Sequence, residues 1–475
     1  SGKDRLRIAQ QIDPAVPVTV QQATFARVEG QLDVPVAVPV GAISGKNGAL
    51  GGIEVGLSAR ISTPPPGLKR FFEEYPFVCL EQKTSVAVGL RDEARWQQVV
   101  EAMPTYLDAN GLARYFPGEG NNGNGGSPAL TAYLLDVTHA SGFAIPPEIA
   151  QRMERGLAAF AEGRIKPEYW SPQSDLVVRK LAAIEALTRR GNKPFSAISS
   201  LEIDLPRLPT SALIDWYLIA KRLTSLPDRA AKLDAVQREI RNRLSYLGGR
   251  LVFTSERADY WWWLMVSGDA NAFRLIEAVI DDPAWKDDLP ALVQGAMLRQ
   301  QRGRWLTTVS NVWASIALDK FGRKFERDAV SGNTRLALGA LPVQDFAWQG
   351  KTDDLNKLLV PWPAKLSPNS SSTSKLQITH EGTGKPWAAM QVLAAVPITE
   401  AKANGFRVTR SVTPVQEKLT GKISRGDVWR VRLSVESDQE MSWVVINDPI
   451  PGGARILGEG DGRDSRIAGM GERDG

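Results

Sequence analysis

The hydrophobic period of this chain changes twice, near residue 66 and again near residue 325, and no single-layer fold accommodates both changes. Before the first change, apolar residues alternate with polar or small ones. Val16, Val18 and Val20 are followed by Val34-Pro-Val-Ala-Val-Pro-Val and Ile53-Glu-Val-Gly-Leu-Ser-Ala, which a glycine-rich turn at 45–52 separates. Pro64-Pro65-Pro66 closes this stretch as a stiff linker. From 68 to 325 the spacing is helical. It predicts helices over Leu130–Ser141, Ile149–Ala161, Leu176–Arg189, Leu208–Leu223, Lys232–Leu247, Asn271–Ile280, Leu289–Gln301 and Thr308–Phe325. Pro, Gly and Asn punctuate them. Such a run suggests a layered all-α array, and periodicity alone equally allows a helical solenoid. Extended patterns return at Arg335–Ala340, Lys375–Thr379 and Ala388–Ala395, with a polar tip at Ser367–Ser374. A further unit starts near 400. In it Trp429, Val431, Leu433 and Val435 form one side of a strand, and Met441–Ile446 reads as a second. Gly458–Gly475 is glycine-rich and charged, the composition of a disordered tail.

Composition narrows the function classes. A chain of 475 residues implies about three domains. The net charge is +5, but Lys, Arg, Asp and Glu are interspersed, so no basic block argues for nucleic acid. No apolar run is long enough to span a membrane, and no signal peptide is visible. The chain opens on Ser-Gly-Lys and stops at Gly-Glu-Arg-Asp-Gly, which reads as a fragment of a longer protein. His139, His380 and Cys79 make no zinc cluster, and no cofactor is called for. The loop Pro117–Ser127 is rich in glycine but lacks the pattern of a phosphate loop, so it reads as a mobile loop. Tyr260-Trp261-Trp262-Trp263 reads as helix-packing core. The acid pairs Glu73-Glu74 and Asp281-Asp282 read as solvated, and His380 as a surface residue on a β-segment.

Cys79 is the one cysteine, and Gln82 stands three residues after it in Tyr75-Pro76-Phe77-Val78-Cys79-Leu80-Glu81-Gln82. That is the spacing of an internal thioester, in which the cysteine sulfur has displaced ammonia from the glutamine amide. The acyl group is then held in activated form, and a nucleophilic amine that reaches it becomes covalently attached. The bond needs a pocket that excludes water, and Phe71, Phe72, Tyr75, Phe77, Val78 and Leu80 offer a dry wall. Glu81, inside the loop, is expected to hold it through hydrogen bonds. Two other readings use the same residues. In one, Cys79 is a packed thiol in a helical binding or scaffold module. In the other, His139 serves Cys79 as general base in a cysteine hydrolase, although no third orienting group is apparent. Amine reactivity that Cys79→Ala abolishes separates the first reading from the second, and turnover of an ester would favour the third.

The octapeptide resembles the thioester signature of the bacterial alpha-2-macroglobulins, relatives of the animal macroglobulins and the thioester-containing complement proteins. Ser127-Pro128-Ala129-Leu130-Thr131-Ala132-Tyr133-Leu134-Leu135 is similar to the helix that follows the signature. Gly303-Arg304-Trp305-Leu306-Thr307-Thr308 with Asn311-Val312-Trp313-Ala314 is similar to the last helix of the thioester domain. Asp448-Pro449-Ile450-Pro451-Gly452-Gly453-Ala454 resembles the strand and turn that open the terminal receptor-binding-like domain. The chain departs from the family in having Val78 where many members carry glycine, so the loop must use a conformation open to a β-branched residue. It also lacks, near 190–215, the catalytic histidine of members that acylate hydroxyls, which points to direct attack by amines.

The resemblance implies an α+β multidomain fold: an α/α toroid at 67–325 inserted into a CUB-like β-sandwich made of 1–66 and 326–399. The first part of a terminal macroglobulin-like β-sandwich would occupy 400–475. It implies a broad-spectrum endopeptidase inhibitor rather than an enzyme. A protease would cut a bait region upstream of residue 1, and one of its lysines would then be acylated by Gln82 as Cys79 is freed. It implies a periplasmic protein, anchored to the inner membrane when full-length, monomeric, with target proteases as covalent partners and a periplasmic penicillin-binding protein as a further one. It also implies a shielding tyrosine from the terminal domain, beyond Gly475, so that this chain alone is expected to protect its thioester poorly. Thiol release as slow as in a full-length homologue would contradict that expectation.

Overall fold

A computed structural model describes residues 16–45, 48–61, 65–118, 125–166, 173–247, 250–254, 264–326, 329–339, 341–348, 356–362, 374–399, 406–437, 446, 448–451 and 453–457. The expected aromatic cluster at 260–263, most of the polar tip at 367–374, the strand at 441–446 and the tail at 458–475 lie outside the described residues. The chain divides into two units, Ser1–Pro397 and Ile398–Gly475.

The first unit opens with five strands: β1 (Val18–Arg27), β2 (Gln31–Val36), the two-residue pieces β3 (Ser44–Gly45) and β4 (Gly48–Ala49), and β5 (Gly51–Ser58). Among the described residues twelve α-helices follow: α1 (Pro66–Glu73), α2 (Leu80–Leu90), α3 (Glu93–Ala102), α4 (Pro128–Ser141), α5 (Pro147–Ala161), α6 (Gln173–Arg189), α7 (Phe195–Ser199), α8 (Thr210–Arg222), α9 (Arg229–Asn242), α10 (Gly268–Val279), α11 (Leu289–Met297) and α12 (Thr308–Phe325). A small hairpin, β6 (Leu244–Leu247) and β7 (Arg250–Phe253), sits among them, after α9. Strands then resume as β8 (Ser331–Leu338), β9 (Gln344–Trp348), β10 (Asn356–Val360), β11 (Ser374–Thr383) and β12 (Trp387–Ala395).

Strands from the two sides of the helical block share both large sheets. One runs β1-β12-β5-β10 and the other β2-β11-β8-β9, with every pair antiparallel. Alternate residues point into one common core: Val34 and Val36, Ile53, Val55 and Leu57, Leu336 and Leu338, Leu376 and Ile378, Met390 and Val392. The period-two pattern of the sequence therefore closes a sandwich around residues that are distant in the chain. His380 continues the inward series of Leu376 and Ile378, so it is buried rather than on the surface. Its Nδ1 lies 2.9 Å from the Thr334 hydroxyl, and the Trp348 indole also donates to Thr334 at 2.8 Å. Where the chain leaves the sandwich and returns to it, one carboxylate ties the two crossings. Glu326 accepts the Ile61 backbone N–H at 2.6 Å and the Trp387 indole N–H at 2.6 Å.

The helices fall into two kinds. α4, α8 and α12 are buried along nearly their whole length, whereas α3 and α9 bury only Trp96 and Val99, and Val236 and Ile240. A helix apolar on all sides belongs inside, and one with a single stripe belongs outside. The contacts agree: α2 touches α4, α4 touches α6, α6 touches α8, α8 touches α10, α10 touches α12, and α12 returns to α2. Around this closed cycle α1 packs on α2, α3 on α2, α5 on α4 and α6, α9 on α8, and α11 on α10. Serine and threonine caps start three of the inner helices: Ser127, Ser267 and Thr307 accept from the N–H groups of Leu130, Ala270 and Ser310.

Two helices end short of the sequence expectation. The helix expected at 232–247 stops at Asn242, because Leu244–Leu247 pairs with Arg250–Phe253 instead. The helix expected to reach Gln301 stops at Met297. Arg302 and Gly303 then take positive φ, and Gln301 pairs with Arg304 across the turn. In the second unit, β13 (Phe406–Gln416) pairs with β14 (Val428–Ser437), so that Val408 faces Val435, Val412 faces Val431 and Pro414 faces Trp429. Residues 448–451, expected to open a strand, carry none.

Candidate functional site

Cys79 is the N-cap of α2, with extended backbone, and Gln82 is the third residue of the helix. A helix start leaves its first N–H groups without helical partners. Here they are all accounted for. The Leu80 N–H donates to the Tyr115 carbonyl at 2.9 Å, and the N–H groups of Glu81 and Gln82 point at the Cys79 sulfur. In return the Gln82 side chain bends back, and its Oε1 accepts the Cys79 N–H at 3.1 Å. This reciprocal capping box places thiol and carboxamide over the same turn. The remaining amide group, Nε2 of Gln82, donates to the Tyr75 hydroxyl at 3.5 Å.

The wall is partly the expected one. Phe71, Tyr75 and Phe77 form an edge-on ladder with centroids 5.0 and 5.5 Å apart, and Phe72 and Leu80 are buried beneath it. Arg304 lies over the Phe71 ring at 4.5 Å. Phe72 packs so close to α2 that a side chain at Gly89 would run into its ring. Val78 is not part of the wall: it is 59% exposed, and Pro76 is exposed beside it. Val78 also avoids the positive φ that a glycine there would permit. Cys79 itself is 7% exposed.

Burial, and then the Glu81 carboxylate, push the Cys79 thiol up to about 12. The Tyr75 phenol is also pushed up to about 12, by burial and by the charges of Glu81 and Cys79. Both groups therefore keep their protons at neutral pH. Glu81 is buried under the turn. Its Oε1 accepts from the Ser85 hydroxyl at 2.6 Å and from the Thr308 hydroxyl, at the start of α12, at 2.6 Å. Ser85 has then given away its proton, so at 2.7 Å it accepts from the Tyr133 hydroxyl of α4. Asn311 braces the turn before α12 by accepting the Trp305 N–H and donating to the carbonyls of Trp305 and Thr307. The sequence expectation had hydrogen bonds at Glu81 without partners. Ser85, Thr308 and Tyr133 are those partners. The only sequence signal for Thr308 and Tyr133 was that both fall inside strings resembling family motifs.

His139 does not join this group. It lies in the last turn of α4 with its side chain exposed, and partial desolvation together with Arg189, Arg190, Arg222 and Lys320 pushes it down. Tyr133 of the same helix faces the site, and six residues of helix separate it from His139, about 9 Å. No hydrogen bond joins His139 to Cys79 among the described residues, so the hydrolase reading has no base. Among the described residues no group of His, Cys, Asp and Glu could hold a metal ion, and no helix is long and apolar enough to cross a membrane.

Residues 405–473 match the bacterial alpha-2-macroglobulin MG10 domain. No curated protein matches the chain by sequence. Solved structures do match in fold. Over 90% of this chain, a native alpha-2-macroglobulin from Escherichia coli spanning domain MG7 to the C-terminus superposes with TM-score 0.58 at 15% identity. Salmonella alpha-2-macroglobulin reacted with methylamine superposes over 90% with TM-score 0.61 at 18% identity. The native conformation of the Escherichia coli protein gives TM-score 0.58 at 15% identity, again over 90%. The chain spans 65% of the first of these, 27% of the second and 26% of the third.

Proposed function

We propose that this chain, which carries the MG10 domain of the bacterial alpha-2-macroglobulins on a fold shared with them, is the thioester-bearing part of a protease trap. Members of that family are protease inhibitors rather than enzymes. The observation that carries the reading is the reciprocal seating of Cys79 and Gln82 at the start of α2, in a buried pocket. Formation of the bond joins Cys79 Sγ to Gln82 Cδ, breaks the bond from Cδ to Nε2, and releases ammonia, which takes up the thiol proton. The Cys79 N–H already donates to the oxygen that becomes negative as sulfur adds, the placement an oxyanion donor requires. Later an amine nitrogen of a protease lysine attacks Cδ, the C–S bond breaks, and the departing sulfur recovers a proton as the amide forms.

The same burial that keeps water out also protects the bond. A thiol pushed up to about 12 is a poor leaving group, so expulsion of thiolate is disfavoured until the pocket opens and water solvates the sulfur. The closed cycle of α2, α4, α6, α8, α10 and α12 supports reading 67–325 as an α/α toroid. The shared sheets support a CUB-like sandwich of 1–66 and 326–399, and 400–475 would then begin the terminal sandwich. Target proteases are the proposed covalent partners, and a periplasmic penicillin-binding protein a further one. The proposed setting is the periplasm, with an inner-membrane anchor on the full-length protein.

The test is amine incorporation. Labelled methylamine should enter the wild-type chain once, at Gln82, and release one thiol. Cys79→Ala and Gln82→Glu should take up none. Equal labelling of Cys79→Ala would defeat the proposal.

A further inference from the structure

Glu81 and Thr308 lie 227 positions apart, one on the first inner helix and the other at the start of the last, and the hydrogen bond between them is 2.6 Å long. The contact falls where the helix cycle closes, since α12 packs back on α2. It also falls on the one charged residue between Cys79 and Gln82: Glu81 is 7% exposed, Thr308 is 7% exposed and Ser85 is fully buried. Within α2, Ser85 donates to the same carboxylate oxygen, and Tyr133 of α4 stands behind Ser85. Three inner helices therefore converge beneath the turn that carries the thiol and the carboxamide. Of the two hydroxyls that donate to the Glu81 carboxylate, Thr308 is the one whose bond depends on ring closure. The one to Ser85 is local to α2, four residues along the same helix.

We infer that Glu81 and Thr308 are positioning residues for the thioester, and that the bond can be made and kept only after α12 has docked on α2. This rests on the thioester reading above. Without the Thr308 hydroxyl, the Glu81 carboxylate loses its one tie to the far end of the chain. The first turn of α2, still held there by the Leu80 N–H bond to Tyr115, then loosens against the wall of the pocket and admits water to Sγ and Cδ. Ser85 cannot substitute, because it moves with α2.

The test uses the full chain and four proteins: wild type, Thr308→Val, Thr308→Ser and Ser85→Ala. Each is checked for helical content by circular dichroism. Intact mass then gives the fraction lacking one ammonia, and thiol release in buffer gives the lifetime of the bond. Loss of a hydrogen bond to a carboxylate is worth roughly a factor of ten or more in an equilibrium. Thr308→Val is therefore expected to shorten the lifetime about tenfold and to lower the thioester fraction. Thr308→Ser, which keeps the hydroxyl, should behave as wild type, and Ser85→Ala should lie between them. Wild-type fraction and lifetime in folded Thr308→Val would overturn the inference. So would a loss confined to Ser85→Ala. If Thr308→Val does not fold, Thr308→Ser decides: a loss of thioester there, with the fold intact, also overturns it. A wild-type chain without any amine-sensitive thiol instead defeats the underlying reading, and does so before any variant is compared.

Discussion

In molecules that retain the Gln82 amide, Cys79 should titrate far above an ordinary thiol, because burial and Glu81 hold it at about 12. Alkylation by iodoacetamide followed against pH should therefore rise toward that value, whereas the urea-unfolded chain should show a midpoint near 8.5. A midpoint near 8.5 in the folded chain would contradict the closed pocket. The sign of the linked stability follows. A pKa raised on folding contributes stability that is complete below the unfolded value and is lost as pH rises through about 12. Thioester-bearing molecules have no such proton to lose, so they should resist alkaline unfolding better than the free-thiol form. At this scale the sequence was most informative about Cys79 and Gln82. It gave no sign that Thr308, Ser85 and Tyr133 meet at Glu81, although Thr308 and Tyr133 lie in strings resembling family motifs, because hydroxyl residues on a helix look alike whether they face solvent or a buried carboxylate.

Among the elements, the inner helices carry a buried ionic cluster that the sequence concealed. Arg189 of α6 reaches Asp136 of α4 at 3.3 Å, Glu185 at 2.9 Å and Glu277 of α10 at 3.3 Å. Arg222 of α8 joins Glu185 at 2.6 Å, Lys320 of α12 joins Glu277 at 2.7 Å, and Arg274 joins Asp215 at 2.5 Å. Charged residues at helical spacing ordinarily mark a solvated face, and only closure of the ring places these inside it. Among the described residues no well-aligned donor reaches Asp136 Oδ1 or Glu185 Oε2, and a proton shared between the carboxyls would satisfy both. Burial and the Glu185 charge raise Asp136, so of the two carboxyls it is the one that favours a proton. Burial alone would raise Glu185 too, but Arg189 and Arg222 hold it below the usual range. Asp136→Asn should accordingly change urea stability by less than about 1 kcal/mol. Arg189→Met, which strands buried carboxylates, should cost about 3–5 kcal/mol. Equal effects of the two would contradict the assignment of the proton. Burial opposes the ionised Glu277 as well, yet Arg189 and Lys320 hold it at about 2. Its contribution is present above the ordinary carboxylate range and is lost as pH falls through about 2, so Lys320→Met should raise the pH of acid unfolding. The helix boundaries were legible where the pattern was long and buried: α12 spans the expected Thr308–Phe325. They failed at 243–247, where Leu244 and Leu247 fit a helical stripe but pair as a hairpin edge.

For the molecule as a whole, the two changes of period marked off a helical block between two extended ones, the resemblance implied that this block is inserted, and Glu326 is where its two ends are fastened. Its carboxylate holds the outgoing strand end at Ile61 and the returning sheet at Trp387. Glu326→Ala should destabilise the chain by about 1–3 kcal/mol, and two transitions should replace one when unfolding is followed separately by tryptophan fluorescence and by helical signal. A single transition of unchanged midpoint would contradict that coupling. The order of the elements was legible because each block buries its own core with its own period. The strand pairing across the helical block was not, since alternation fixes which face is buried but not which strand lies next to it. We propose that the whole scaffold serves to seat Cys79 against Gln82. The most direct measurement is the intact mass of the natively purified chain, with its thiol titrated before and after methylamine. A Cys79–Gln82 thioester gives a mass short by one ammonia and a thiol that appears only after the amine. A full mass with a free thiol from the start would contradict it.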